Sequence, residues 1–244
     1  MQGTVVEPAR AGFDHAERIL SKMPDLTANH RLRQRLASNL EAFDCKVIVD
    51  HERKNAAVAL VVTNCQQPAD IDEVIFDPDA CDQAAFILTT RSARLNNHRG
   101  QRAFPGGRID HGETAEQAAL RELEEEIGLK LSNEHILGQL DDYATRSGYV
   151  ITPIVFWGGS NLQMRANPDE VETIHAVPIK ELLREDAPML ESIPESEQPV
   201  LKMPLGSRWF AAPTAAIAYQ FREVAILGKS TRVAHFEQPY FAWK

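Results

Sequence analysis

The stretch that decides the fold runs from Gly107 to Glu113, Gly-Arg-Ile-Asp-His-Gly-Glu. After seven residues it resumes from Arg121 to Leu129, Arg-Glu-Leu-Glu-Glu-Glu-Ile-Gly-Leu. Thr114 opens a helix between them: with Gln117 it fits a capping box, and Gly128 stands where a C′ residue belongs. On a helix advancing about 100° per residue, Ala119, Leu120, Leu123 and Ile127 share one direction, which makes them the buried face. Glu122, Glu125 and Glu126 fall on a neighbouring strip. Carboxylates at this spacing repel one another, weakening an isolated helix by about a few tenths of a kcal/mol per pair. A divalent cation reverses that sign. Hard oxygen ligands so arranged suit Mg²⁺ or Mn²⁺, which bind through carboxylates together with substrate phosphates. A solvated acidic face is the alternative. The neighbours favour the metal: Gly106 and Gly107 allow backbone to approach the same ion, and Glu113 and Arg121 can pair and orient the carboxylates.

This segment resembles the Nudix box, G-x5-E-x7-R-E-U-x-E-E-x-G-U with U apolar, at every specified position: Gly107, Glu113, Arg121, Glu122, Leu123, Glu125, Glu126, Gly128 and Leu129. Residues each with a background frequency of roughly 5–10% give a coincidental match below about 10⁻⁷ per starting point. The resemblance implies an α/β fold, the Nudix α/β/α sandwich with a mixed β-sheet and a loop–helix–loop active site. It also implies hydrolysis of a nucleoside diphosphate linked to another group. By position, Glu122, Glu125 and Glu126 would hold the divalent ions, and Glu122 or Glu125 would activate water. Arg121 and Glu113 would be the structural pair.

Upstream, residues 87–107 are similar to the additional motif of the coenzyme A diphosphatase branch, L-L-T-x-R-[S/A]-x3-R-x3-G-x3-F-P-G-G, with Ile87 for its first Leu and Asn96 for its second Arg. Thr145-Arg146-Ser147-Gly148-Tyr149 resembles the same branch more loosely. Between positions 91 and 108 lie Arg91, Arg94, Arg99, Arg102 and Arg108, and no carboxylate. Arginine makes bidentate phosphate contacts. Arg91, Arg94, Arg99, Arg102, Phe104, Gly106 and Gly107 are therefore the candidate substrate-binding residues, with solvated arginines and a core phenylalanine as the plainer reading. The expected reaction is Mg²⁺- or Mn²⁺-dependent cleavage of coenzyme A or an acyl-CoA to 3′,5′-ADP and a 4′-phosphopantetheine species. Another substrate such as ADP-ribose, or a non-catalytic nucleotide-binding module, are the alternatives. Glu170 and Glu172 are further candidate ligands.

Outward from the box, Ala56–Val62, Ala84–Thr89, Ile136–Leu140 and Tyr149–Trp157 read as strands, as does the shorter Lys46–Val49. Asp14–Met23, Asn29–Phe43, Pro178–Leu183 and Thr214–Leu227 read as helices; Asn64–Gln83, Asn167–Ile174 and the Pro-, Glu- and Ser-rich Glu185–Pro204 read as loops, and the tail from Arg232 as an added strand. Residues 1–50 form an N-terminal helical extension suited to homodimerisation or partner docking, and residues 51–244 the main domain. At 244 residues and 43% apolar, the chain has the composition of a soluble globular protein. Its 26 basic and 35 acidic residues leave a net charge of −9, which disfavours nucleic acid and anionic membrane as partners. The apolar runs are too short to span a bilayer and the N-terminus lacks a secretory pattern. Cys45, Cys65 and Cys81 form neither a disulfide framework nor a thiolate zinc motif, which fits the cytoplasm.

Overall fold

The computed structural model describes residues 24–65, 82–94 and 100–243. Asp14–Met23, most of Asn64–Gln83, and Arg99 with its neighbours from 95 lie outside those residues.

The centre is a mixed sheet in which strands β1 (Lys54–Asn64) and β7 (Tyr149–Gly159) run parallel. β2 (Ala84–Arg91) flanks β1 antiparallel, and β8 (Val171–Pro178) and β3 (Arg102–Ala103) pair with β2. β4 (Gly106–Arg108) pairs with the start of β1; β5 (Ile136–Gln139) and β6 (Tyr143–Ala144) pair with β7. β1 is apolar along most of its length because both of its faces are covered. Ala57, Ala59 and Val61 face helix α2 (Ala115–Ile127) and pack with Ala118, Ala119, Leu123 and Ile127. Leu60 and Val62 face the other way, against Leu32, Leu36 and Leu40 of α1 (His30–Glu41) and Phe221 of α3 (Thr214–Phe221). That is an α/β/α sandwich, and it places α1 inside the main core.

A second, three-stranded sheet, β9 (Met189–Ile193), β10 (Ser196–Leu205) and β11 (Arg208–Ala211), joins the α1/α3 side through Leu201, Met203 and Leu205. Among the described residues no helix is long and apolar enough to cross a membrane.

Several elements differ from the sequence reading. Lys46–Val49 is not a strand: Val47 and Val49 are exposed, and the Lys46 and Ile48 N–H groups donate to the Asp141 and Asp142 carboxylates instead of a ladder. The 167–174 stretch turns into β8 at Val171, and Glu185–Pro204 contains β9 and most of β10. In place of the single helix to Leu227, α3 continues as a π-helical turn over Arg222–Ile226. The tail forms a short 3₁₀ turn, Tyr240–Trp243, and an isolated Val200–Glu237 bridge, not a strand.

Candidate active site

The helix that carries the carboxylates is fixed at both ends by local chemistry. Thr114 accepts from the Gln117 N–H at 3.3 Å while the Gln117 side chain accepts from the Thr114 N–H at 2.9 Å. At the other end Gly128 adopts φ 65°, the left-handed cap. The Arg165 and Asn167 N–H groups donate to the Ile127 and Glu126 carbonyls, both at 2.8 Å. The loop that follows brings Glu170 back towards the helix, and Ser92 ties it down by donating its N–H to the Glu170 carbonyl at 2.9 Å.

Glu122, Glu126 and Glu170 are thereby brought together, with one carboxylate oxygen of each within 4.8 Å of the others. Glu122 and Glu126 are buried. Burial pushes the Glu122 carboxyl above its usual range against the pull of Arg121. Glu126 is pushed up to about 8, first by burial and then by the Glu122 charge. The Gly106 N–H, donating at 3.2 Å, and the Arg91 guanidinium, 3.9 Å away, oppose that rise only in part. Buried, mutually repelling carboxylates offering hard oxygens are the donor set that a Mg²⁺ or Mn²⁺ ion fits.

Arg121 is the hub beside them. It donates to both Glu113 oxygens at 2.8 and 3.1 Å, to Glu122 at 2.8 Å, to Glu125 at 3.0 Å and to the Arg108 carbonyl at 2.9 Å. Its guanidinium holds the Glu113 carboxyl below the usual range. Glu125 is exposed and lies outside this cluster, sharing one Arg121 nitrogen with Glu122, and Glu170, a further candidate ligand from the sequence, completes the group. Glu172 is exposed on β8.

The cluster adjoins the backbone of β4. A Cβ on Gly107 would lie 2.1 Å from Glu122 Oε1, so only glycine leaves that oxygen its place. A Cβ on Gly106 would lie 2.3 Å from the Ala57 carbonyl. The same glycines line a cavity of about 800 Å³, together with Arg91, Arg102, Phe104, Arg108 and Tyr149 among others. Arg108 donates to the Tyr149 hydroxyl at 3.0 Å. The Arg91 Nε is buried with no hydrogen-bond partner among the described residues.

Of the candidate substrate-binding residues, Arg91, Arg102, Phe104, Gly106 and Gly107 line this cavity. Phe104 does so from the core, tilted against Phe86 at 6.2 Å between ring centroids. Arg94 is turned to solvent and pairs with Asp169 at 3.0 Å, and Arg99 lies outside the described residues. Lys54, Tyr149, Trp209 and Gln238 also line the cavity. Tyr149 falls in the looser downstream resemblance; no spacing marks Lys54, Trp209 and Gln238, which come from separate parts of the chain.

The family profile described as NUDIX domain matches residues 68–195. The chain is 40% identical over 103 residues to the Nudix hydrolase NudL of Yersinia enterocolitica, covering 42% of this chain and 53% of that protein. It is 40% identical over 104 residues to Nudix hydrolase 3 of Caenorhabditis elegans, covering 41% and 43%. The chain thus spans about half the length of the curated relatives it matches. A solved MutT/nudix family protein from Enterococcus faecalis is similar with a TM-score of 0.43 at 18% identity, covering 67% of this chain and 52% of that one.

Proposed function

The chain belongs to the Nudix hydrolase family, which cleaves pyrophosphate linkages, and on that premise we propose that it hydrolyses the diphosphate of coenzyme A or an acyl-CoA with the help of Mg²⁺ or Mn²⁺. One observation carries the reading: the clustered carboxylates touch Gly106, Gly107 and Arg91, which also line a cavity together with Arg102 and Arg108.

Glu122, Glu126 and Glu170 would hold the cation. When bound, it supplies a lowered pKa for water and neutralises charge on the diphosphate. The remaining work falls to the chain. Arg121 holds Glu122 from one side, with Glu113 holding Arg121 from the other, so the Glu122 carboxylate does not swing away when substrate enters. Glu122 or Glu125 accepts the proton that water loses as its oxygen attacks phosphorus. Arg91 and Arg102 donate to phosphate oxygens that gain charge as the bridging P–O bond breaks. Gly107 keeps a side chain off the Glu122 carboxylate, and Gly106 lets β4 lie close against β1.

The upstream basic motif supports coenzyme A within the diphosphate class, since the arginines exceed what one scissile diphosphate needs and suit a further phosphate. Incubating the protein with coenzyme A, ADP-ribose, NADH and dinucleoside polyphosphates in Mn²⁺, with products identified by mass, tests this. Release of 3′,5′-ADP from coenzyme A at the highest kcat/KM is expected. Preference for another member of the panel would overturn the substrate, and turnover of none would overturn the activity.

A further inference from the structure

The cavity has two unlike walls. The sheet-side wall carries the cations Lys54, Arg91, Arg102 and Arg108. A second part of the lining comes from β11, the start of α3 and the C-terminal tail, beyond the family match. It contributes Trp209, Phe210, Ala211, Pro213 and Ile217, with Gln238 and Ala242 at its tail end, and, among the described residues, no charged side chain.

This wall is held in place. Phe210 and Ile217 are rooted in the main core. The tail is strapped to β6 and the loop after it: Tyr143 donates its hydroxyl to the Phe236 carbonyl at 3.0 Å, Gln238 donates to the Ala144 carbonyl at 3.3 Å, and Arg146 pairs with Glu237. The Trp243 ring covers the Arg146 guanidinium at 5.0 Å. Trp209 stands at the edge, 42% exposed, with the Lys202 ammonium 3.9 Å over its ring and Lys202 in turn paired with Glu191. A large ring fixed from one side and left open at a cavity is a contact surface awaiting an apolar partner. Aliphatic neighbours such as Ala211, Ile217 and, from the sheet, Ile151 suit a flexible carbon chain.

We propose that the C-terminal wall is a subsite for an uncharged, aliphatic arm esterified to the diphosphate, with Trp209 closing over it. The inference rests on the diphosphate reading above and adds which part of the substrate the non-Nudix segment selects. A diphosphate would lie against the arginines with its arm running towards Trp209.

The test is binding, not turnover. Hydrolysis-resistant α,β-methylene analogues of ADP, esterified with methyl, butyl or octyl groups, are titrated calorimetrically into the protein in Mg²⁺. Affinity rises with chain length, and Trp209→Ala lowers octyl-ester affinity roughly tenfold while leaving the methyl ester within about twofold. The methyl ester also reports that the variant is folded. If octyl binds no tighter than methyl in the parent, or if Trp209→Ala weakens both alike, the subsite does not exist. Chain-length dependence without turnover of any diphosphate would defeat the proposed activity and leave the subsite standing; turnover without it would do the reverse.

Discussion

Replacing Glu126 by Gln should make the metal-free protein more stable at alkaline pH and destroy its response to metal. Glu126 has a carboxyl side chain 5% exposed, facing Glu122 and Glu170, and burial is the first cause of its rise from 4.5 to about 8. The folded state therefore keeps a proton that the unfolded chain releases above pH 4.5. Stability falls as pH climbs between those values and levels off above pH 8. At ~1.4 kcal/mol per tenfold change in proton affinity, the loss amounts to as much as ~5 kcal/mol. Glutamine keeps the shape, and its carbonyl oxygen can still accept from the Gly106 N–H. Desolvating the new amide offsets part of the gain, leaving roughly 2–4 kcal/mol, or a Tm increase of about 5–12 °C for a chain of this size. The assay is thermal unfolding in EDTA at pH 5 and pH 8.5, then in Mn²⁺ at pH 8.5. The variant should be no more stable than the parent at pH 5, where the amide's desolvation outweighs the small gain, and should exceed it at pH 8.5. In Mn²⁺ the parent alone should gain. A variant no more stable than the parent at pH 8.5 in EDTA would refute the claim that this carboxylate is buried at an electrostatic cost awaiting a cation.

Three further outcomes follow from the same geometry. Gly107→Ala forces a Cβ into Glu122 Oε1 and should lower kcat about 100-fold, with a matching loss of Mn²⁺ affinity measured by titration. Arg121→Lys replaces a fork touching Glu113, Glu122, Glu125 and the Arg108 carbonyl with one ammonium; kcat should drop roughly 10- to 100-fold while urea unfolding shows a loss of only about 1 kcal/mol. Arg91→Ala removes a charged donor from the cavity wall and should reduce kcat/KM roughly 10- to 100-fold, mostly through KM, in steady-state kinetics.

The residues that were legible in the sequence are those whose signals are local. Thr114, Gln117 and Gly128 mark the ends of α2 with side-chain chemistry that acts within one turn, and the structure has both caps. The apolar runs of β1, β2 and β7 mark a sheet covered on both faces. What escaped depends on tertiary partners. Lys46–Val49 has strand-like alternation, yet two buried aspartates take its N–H groups and leave its valines in solvent. β9 is almost wholly exposed, so no apolar period announces it, and it exists because β10 offers a ladder. Glu170 is named from the sequence as a further candidate ligand, but what brings it to Glu122 and Glu126 is tertiary: Ser92 and the end of α2 tie down its loop. Glu125 stands at the exposed edge of the site, where it shares one Arg121 nitrogen with Glu122, a pairing that spacing alone does not specify.

The central claim is that Glu122, Glu126 and Glu170 together grip a divalent ion. Titrating Mn²⁺ into the metal-free protein at pH 8, with free ion followed by electron paramagnetic resonance, addresses it directly. At least one ion should bind per chain, and Glu126→Gln should weaken that binding by no less than about tenfold. Equal Mn²⁺ uptake by parent and variant, or none by either, would contradict it.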